Sequence, residues 1–249
     1  MWNQARTPTA TIFYEKGYEA DRDFATTWLS RADDLMKDKY RVTATGYQVS
    51  FYLYPEPNEN AGVGLARTVT SGPIAVIHYL APAAMTWKST NRTTSLRFPF
   101  DENFHAKVII SEYIALAHVA VQDSRTQRGG WRYYMAPSWV SQGLQEYDAI
   151  FHSTEFNRTV VARRLREFGT VNQGWFGCCQ DGVPVISDVY NGGALFMWYL
   201  ADRYGEDIHR RLLVNASAVF AQALMQETTS ADAEGLFEDF RNWLKSPPP

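Results

Sequence analysis

A glutamate and a histidine interrupt an otherwise apolar stretch, IISEYIALAHVAVQ, at residues 109–122. A helix that is apolar on every side is typically buried, and buried carboxyl and imidazole groups either form hydrogen bonds or shift their pKa values toward the neutral form. Glu112 and His118 are therefore candidates for acid–base chemistry or metal binding, and also for structural hydrogen bonds in a core.

Two further polar groups follow in the stretch PSWVSQGLQEYDAIF. Gln142 and Glu146 are four residues apart, so a helix places them on one face. Carboxyl groups that are buried near one another acquire raised pKa values, which suit proton transfer at neutral pH. The second stretch therefore adds an amide and a carboxyl group to the candidate site.

The two stretches together resemble the active-site helices of the gluzincin metallopeptidases, in particular the small peptidase-MA-like domains. In that family an HExxH helix precedes a helix with the pattern Pro-x-Trp-x-x-Glu-Gly-x-x-x-Tyr. The second pattern reads here Pro137, Trp139, Gln142, Gly143, Glu146 and Tyr147. Looser similarity covers most of the chain, in the segments TIFYE, VSFYLYP, VYNGGALFMWYLADRYGEDIHRRLL and FEDFRNWL. The resemblance implies a gluzincin-like (thermolysin-like) fold.

The departures from the family pattern fall on its zinc ligands. Aligned without a gap, Ser111 and Ala115 occupy the two histidine positions, and Gln142 occupies the position of the third ligand. Hydroxyl, methyl and neutral amide groups are poor zinc ligands. Glu112 keeps the position of the general base. A second register gives His118 the last ligand position but loses the base, so the family's zinc site survives in neither register.

The lost ligands predict a pseudopeptidase, in which the fold and the former active-site cleft persist without a metal or another cofactor. Such a cleft would bind a small molecule, a peptide, a glycan or a protein partner. The residues expected to line it are Ser111, Ala115, Trp139, Gln142, Trp175 and Phe176.

A metal-independent enzyme is an alternative, in which Glu112 performs acid–base chemistry. Tyr190 joins this hypothesis because the resemblance places it where the family carries a tyrosine beside its reaction centre. The catalytic candidates are Glu112, Glu146, His118 and Tyr190. A purely structural interpretation also remains, in which Glu112 and Gln142 bond to each other and fill the vacated site.

A rearranged metal site is a second enzymatic alternative. A catalytic zinc needs three protein ligands and an open coordination position. The candidate ligands for an active metallohydrolase of this kind are His105, Glu112, His118 and Glu146.

Aromatic side chains near the second motif suggest a different class of function, a surface module that binds carbohydrate or peptide. Rings at the mouth of a cleft often bind ligands by stacking. The residues are Trp131, Tyr133, Tyr134, Trp139, Trp175 and Phe176. Core packing is a stronger interpretation for Trp139 than for Trp175.

Hydrophobic periodicity predicts strands first and helices afterwards, which is the order of an α+β fold. Strands are predicted at 9–15, 47–55, 72–82 and 94–100, with an amphipathic helix at 21–39. Further helices are predicted at 104–121, 137–152, 154–168, 189–204, 207–226 and 231–244. The glycine-rich segment 169–187 is predicted to be a long loop, and long loops in compact domains are often functional.

We expect one domain over residues 1–249, with a hydrophobic fraction of 45% that suffices for a substantial core. It comprises a β-rich subdomain with a mostly antiparallel sheet at 1–102, a helical subdomain at 103–245 and a disordered tail at 246–249. The net charge of −3 is mixed along the chain, which speaks against a nucleic-acid partner. We expect no transmembrane segment, because no apolar run reaches the length that spans a bilayer.

The two cysteines of the chain are neighbours, Cys178 and Cys179. A disulfide between adjacent residues is uncommon because the bridge demands a specific geometry. We therefore expect these cysteines to form no disulfide with each other, or to pair with a separate molecule.

The location of the protein has only weak signals in the sequence. The first four residues do not form a signal peptide, because no apolar region follows them. Three Asn-x-Ser/Thr sequons, at Asn91, Asn157 and Asn215, matter only in a secretory pathway. They indicate a secreted or extracytoplasmic protein whose leader is not present in this chain.

Overall fold

A computed structural model describes residues 1–43, 46–56, 66–71, 73–81, 101–123, 131–152 and 158–246. A sheet and a helix come first and a helical half follows, which confirms the predicted α+β class and order. The strands are β1 (Trp2–Arg6), β2 (Thr11–Glu15), β3 (Gln48–Tyr54), β4 (Ala66–Ser71), β5 (Ile74–Leu80), β6 (Phe176–Gln180) and β7 (Val183–Ile186). The helices are α1 (Glu19–Leu35), α2 (Glu102–Asp123), α3 (Ser138–His152), α4 (Arg158–Val171), α5 (Asn191–Tyr204), α6 (Ile208–Val214), α7 (Phe220–Thr228) and α8 (Ala233–Lys245).

Contacts within the chain group into two compact units, Met1–Ala120 and Val121–Pro249. The first unit holds β1 to β5, α1 and most of α2, and the second holds the remaining elements. The first unit therefore extends past the β-rich segment 1–102 by most of one long helix.

The sheet of the first unit has the strand order β1-β2-β3-β5-β4. Its two outer pairs are antiparallel, as the sequence indicated, but the two central pairs are parallel, so the sheet is mixed. The helix α1 explains the parallel pair β2–β3, because a crossover helix returns the chain so that consecutive strands run in the same direction.

One face of this sheet and the helix α1 form the core of the first unit. Alternate residues of the central strands point into it, and α1 contributes residues at helical spacing. The buried residues include Val49, Phe51, Leu53, Ala75, Ile77, Tyr79, Ala25, Trp28, Leu29 and Ala32. One π-helical turn, Met36–Tyr40, extends α1, which matches the single helix predicted at 21–39.

The opposite face of the sheet carries a row of rings that the strand register sets. Phe13, Tyr52 and His78 are direct cross-strand neighbours, and their rings stack at 4.6 Å and 5.8 Å between centroids. Arg67 is the next neighbour in the same row. Burial and then the charge of Arg67 lower the pKa of His78 below 6.5. The Tyr54 hydroxyl lies 2.8 Å from its Nδ1.

The second unit is built around α5, in which every residue from Asn191 to Ala201 is buried. Helix α3 crosses α5 where Gly143 faces Gly193. A Cβ atom on Gly143 would lie 2.5 Å from Gly193 Cα and 2.8 Å from its carbonyl oxygen. The two backbones therefore touch directly at this crossing.

Two predictions about the second unit were wrong. The helix predicted at 207–226 is two helices, because Asn215 Oδ1 accepts a hydrogen bond from Ser217 N at 2.9 Å and forms a turn. The loop predicted at 169–187 contains the hairpin β6–β7. Its turn residues, Asp181 and Gly182, both have positive φ, as a type I′ turn requires.

Some predictions concern residues outside the described part of the chain, and two strands of the structure have no counterpart among the predictions. The strand predicted at 94–100, the start of the helix predicted at 154–168 and the tail from 247 lie outside the described residues. The strands β1 and β4 were not predicted, since neither shows a clear apolar alternation.

Within the described residues, one helix, at residues 102–122, has the length and the apolar composition to cross a membrane. Inside the structure, 67% of its most apolar window is buried, which is also the pattern of a core helix. The described residues therefore contain no clear membrane-spanning segment.

Candidate functional site

Glu112 is bound to the strand β4 within the first unit. The Thr68 hydroxyl oxygen lies 2.5 Å from Glu112 Oε2 and 3.1 Å from the Glu112 main-chain oxygen. Burial of the carboxyl group raises its pKa above 4.5, although the Thr68 hydrogen bonds and the charge of Lys107 act in the opposite direction. The partner that the structure gives to Glu112 is therefore a threonine of an adjacent strand.

The Thr68 hydroxyl group has two acceptors on Glu112. A hydroxyl group carries one hydrogen, so it can donate to only one of them at a time. The shorter contact is to the side-chain oxygen Oε2, and donation to that oxygen lowers the pKa of Glu112 against the effect of burial.

The raised pKa of Glu112 predicts a pH-dependent effect of Glu112→Gln. The folded state keeps this proton to a higher pH than the unfolded chain, so the free energy of unfolding falls as pH rises from 4.5 through the raised pKa. Glutamine mimics the neutral acid and removes this titration. The variant should therefore gain stability relative to the original protein across that window. The gain is about 1.4 kcal/mol for every tenfold decrease in the acid dissociation constant of Glu112 on folding.

Urea unfolding at a series of pH values measures this difference. Ser111→Ala, which changes a neighbouring residue that does not titrate, should give a difference that does not vary with pH. Parallel stability curves for Glu112→Gln and the original protein would contradict the assignment.

The two histidines considered for a metal site form hydrogen bonds with tyrosine hydroxyl groups in the core of the first unit. His118 Nε2 lies 3.1 Å from the Tyr40 hydroxyl, and the two rings meet edge to face. His105 Nδ1 lies 2.5 Å from the Tyr79 hydroxyl. Burial lowers the pKa of His105 to about 4, so this ring is neutral at physiological pH.

The residues that the resemblance aligns with the two zinc-binding histidines are accessible in part. Ser111 and Ala115 are half-buried, whereas His118 is fully buried on the same helix. Among the described residues, no group of three or more His, Cys, Asp or Glu side chains is arranged to hold a metal ion.

The second motif begins α3, which is anchored in the core of the second unit. Trp139 is 3% exposed, and its ring lies 5.1 Å from Phe196 and 6.1 Å from Phe220 between centroids. Further along α3, Gln142 is half-buried and Glu146 is buried. Core packing of Trp139 is confirmed.

Trp139 also lines a groove of about 1100 Å³ in the second unit, which we call the α3–β7 groove. Its walls are residues 131, 132 and 135–139, the hairpin residues 180, 181 and 183–186, and residues 218–221 around the start of α7. Apolar side chains on its rim, Met135, Val185 and Val219, are exposed. No pattern in the sequence marks this groove, because exposed aliphatic residues follow no period.

Hydrogen bonds fix one wall of the α3–β7 groove. The Gln122 side chain accepts from Tyr133 N at 2.7 Å and donates to the Trp131 carbonyl oxygen at 3.3 Å. Trp131 Nε1 donates to the Leu212 carbonyl oxygen at 3.0 Å. These bonds hold the segment before α3 in one conformation, so the groove is preformed.

The aromatic residues expected around one cleft lie in different places within the second unit. Trp175 is 40% exposed and packs on Phe168, with 5.2 Å between ring centroids. Phe176 packs on Phe240 at 5.4 Å and lines a second cavity, of about 620 Å³, against α8. Trp131 and Tyr133 are buried, and the side chain of Tyr134 lies outside the described part of the protein.

Tyr190 is held at the start of α5 by a capping aspartate. Asp188 Oδ1 accepts hydrogen bonds from Tyr190 N at 3.0 Å and Asn191 N at 2.8 Å. The tyrosine side chain is exposed. A capping carboxylate of this kind satisfies the first amides of a helix.

The expectation about the cysteines was wrong, because Cys178 and Cys179 form a disulfide with each other. The β6–β7 register explains how the chain accommodates it. Gly177 pairs with Val185 and Gln180 with Val183, so the two cysteines together face one residue in a β-bulge.

The sequence matches no protein-family model, and no curated protein matches it.

Proposed function

We propose that this chain is a gluzincin-like domain that has lost its zinc site and binds a ligand without cleaving it. The observation that carries the proposal is the environment of Glu112. The carboxyl group of Glu112, in the position that the resemblance gives to the general base, is taken up by a hydrogen bond with Thr68 at 2.5 Å, and burial raises its pKa. Ser111 and Ala115, beside it on α2, supply no zinc ligand.

We assign ligand binding to the α3–β7 groove and a short apolar peptide as its ligand. Cavities for small molecules usually measure about 300–1,000 Å³. This groove, at about 1100 Å³, exceeds that range and is open along an apolar rim. Of the described residues in its lining, only Arg132 and Asp181 are ionisable. An apolar segment that binds in the groove therefore displaces water from few charged groups.

The test combines metal analysis with peptide binding. The purified protein should contain no stoichiometric zinc, and it should show no peptide hydrolysis that a chelator abolishes. On a library of short apolar peptides, Val219→Asp should weaken binding at least tenfold, because it places a charge on the groove rim.

A matched substitution controls for the added charge. Val171→Asp changes another valine, more exposed than Val219, on α4, and this residue does not belong to the groove lining. It should leave binding unchanged. Equal weakening by both variants would contradict the groove assignment, and chelator-sensitive hydrolysis would overturn the pseudopeptidase.

A metal-independent acid–base enzyme is the second candidate, and one observation favours it. Burial raises the pKa of Glu112, which is the direction in which enzymes tune the carboxyl group of a general acid. Under this alternative, Glu112→Gln abolishes turnover of the substrate while peptide binding persists. If every detected turnover survives that substitution, the alternative is wrong.

A further inference from the structure

The disulfide Cys178–Cys179 lies at a place where the hairpin can tolerate a change. The two cysteines face Pro184 in the β-bulge of β6. Proline has no main-chain N–H and cannot donate to a strand ladder. Pro184 therefore donates no main-chain hydrogen bond to β6 that a rearrangement of the bulge could break.

One cysteine of the disulfide is exposed. Cys178 is exposed, and Cys179 is half-buried. Cys178 also forms part of the wall of the 620 Å³ cavity between β6 and α8. Access to a sulfur atom is a requirement for attack by a thiolate. A small reductant can therefore approach Cys178 from solvent or from the cavity.

The opposite wall of this cavity, on α8, carries both signs of charge. Arg241 and Lys245 line it one turn apart, and the carboxylates of Glu234 and Glu238 line it as well. Arg241 lies 3.9 Å from the carboxylate of Glu238, which offsets its charge. Lys245 donates to the neutral side-chain oxygen of Asn242 at 3.5 Å. Positive charge near a cysteine stabilises its thiolate, so these cations favour Cys178 as the group that leaves in the second exchange step.

We propose that Cys178–Cys179 is a thiol–disulfide exchange site whose substrate class is a small dithiol or a dithiol protein. One thiolate of the reductant attacks Cys178 Sγ, forms a mixed disulfide and releases Cys179 as a thiolate that takes up a proton. The second thiolate of the reductant then attacks the mixed disulfide and releases Cys178. Two electrons and two protons reach the protein, and the reductant leaves as a disulfide.

The reduced site has a distinctive ligand. Two thiols on adjacent residues can both bind one trivalent arsenical, whereas a single thiol cannot chelate it. No other cysteine exists in the chain, so neither thiol can exchange into a different internal disulfide. The exchange is therefore confined to one two-electron step.

The experiment uses the full chain, oxidised in air and never exposed to denaturant. Iodoacetamide should add no label to this protein, and two labels after treatment with dithiothreitol. A titration in mixtures of reduced and oxidised dithiothreitol should show one two-electron transition. Phenylarsine oxide should bind one-to-one to the reduced protein only.

Single variants provide the matched controls. Cys178→Ser and Cys179→Ser should each take one label without reductant, show no transition and retain no phenylarsine oxide. Hydrogen exchange of residues 176–186 should accelerate on reduction of the original protein and not change with reductant in either variant. The labelling of the original protein decides the question even if a variant folds poorly.

Two results would overturn the proposal. Two labels on the air-oxidised protein would mean that the disulfide does not form. Labels that appear only after dithiothreitol is combined with a denaturant would mean that the disulfide is closed to exchange in the folded protein.

Discussion

Gly143→Ala is expected to destabilise the second unit by about 3 kcal/mol, at the upper end of the cost of overpacking. The added methyl group would lie 2.5 Å from Gly193 Cα and 2.8 Å from its carbonyl oxygen. Both are main-chain atoms, so no side chain can rotate away to make room. Relief requires α3 and α5 to separate, and that separation disturbs the packing of Trp139 on Phe196. The gain of about 1 kcal/mol in helix propensity from alanine is smaller than this cost.

Urea unfolding of the full chain measures the effect, and Gly174→Ala is the matched control. A Cβ atom on Gly174 meets nothing within 4 Å. This variant should change the free energy of unfolding by no more than about 0.5 kcal/mol. If Gly143→Ala is as mild as Gly174→Ala, the close crossing of α3 and α5 is wrong.

Phe240→Ala is expected to cost about 3–5 kcal/mol, the usual range for removing a buried phenylalanine ring. Phe240 is 0% exposed on α8. Its ring centroid lies 5.0 Å from that of Phe196 and 5.4 Å from those of Tyr199 and Phe176. One ring therefore joins α8, α5 and the hairpin, and its loss leaves a cavity at their junction.

The effect should also appear locally. Hydrogen exchange of β6 and β7 should accelerate, because Phe176 loses the ring on which it packs. Phe240→Leu keeps most of the volume and should cost clearly less, while Val171→Ala on the surface should stay within about 0.5 kcal/mol. Equal losses for the alanine and leucine variants would show that the ring does not fill this junction.

Periodicity in the sequence was sufficient to predict most elements of the fold. The helices that became α2, α3, α5 and α8 were placed to within about two residues, because long apolar stripes leave few alternatives. The parallel pairing of β3 with its neighbours was not predictable, since alternation along one strand carries no information about the direction of the next. The hairpin had a usable signal that was missed, the Asp181–Gly182 pair between two short apolar runs.

The candidate site was harder to predict than the fold. The sequence singled out Glu112 correctly as a polar group in an apolar helix, but it could not name Thr68 as its partner. That contact joins residues 44 positions apart and depends on the strand order of the sheet. The groove beside Trp139 was also out of reach, because it is formed by segments that are distant in sequence.

The side-chain bonds of α2 have a consequence for synthesis of the chain on the ribosome. They reach back into the preceding segments, from His105 to Tyr79, Glu112 to Thr68, Tyr113 to Asp33 and His118 to Tyr40. The last of these residues lies at position 118, two residues before the first unit ends. The nascent first unit thus cannot complete its core when the last strand of its sheet emerges. The side chains that bond to α2 must wait for these partners until nearly forty more residues have left the exit tunnel, and an incompletely packed nascent unit of this kind is prone to aggregate.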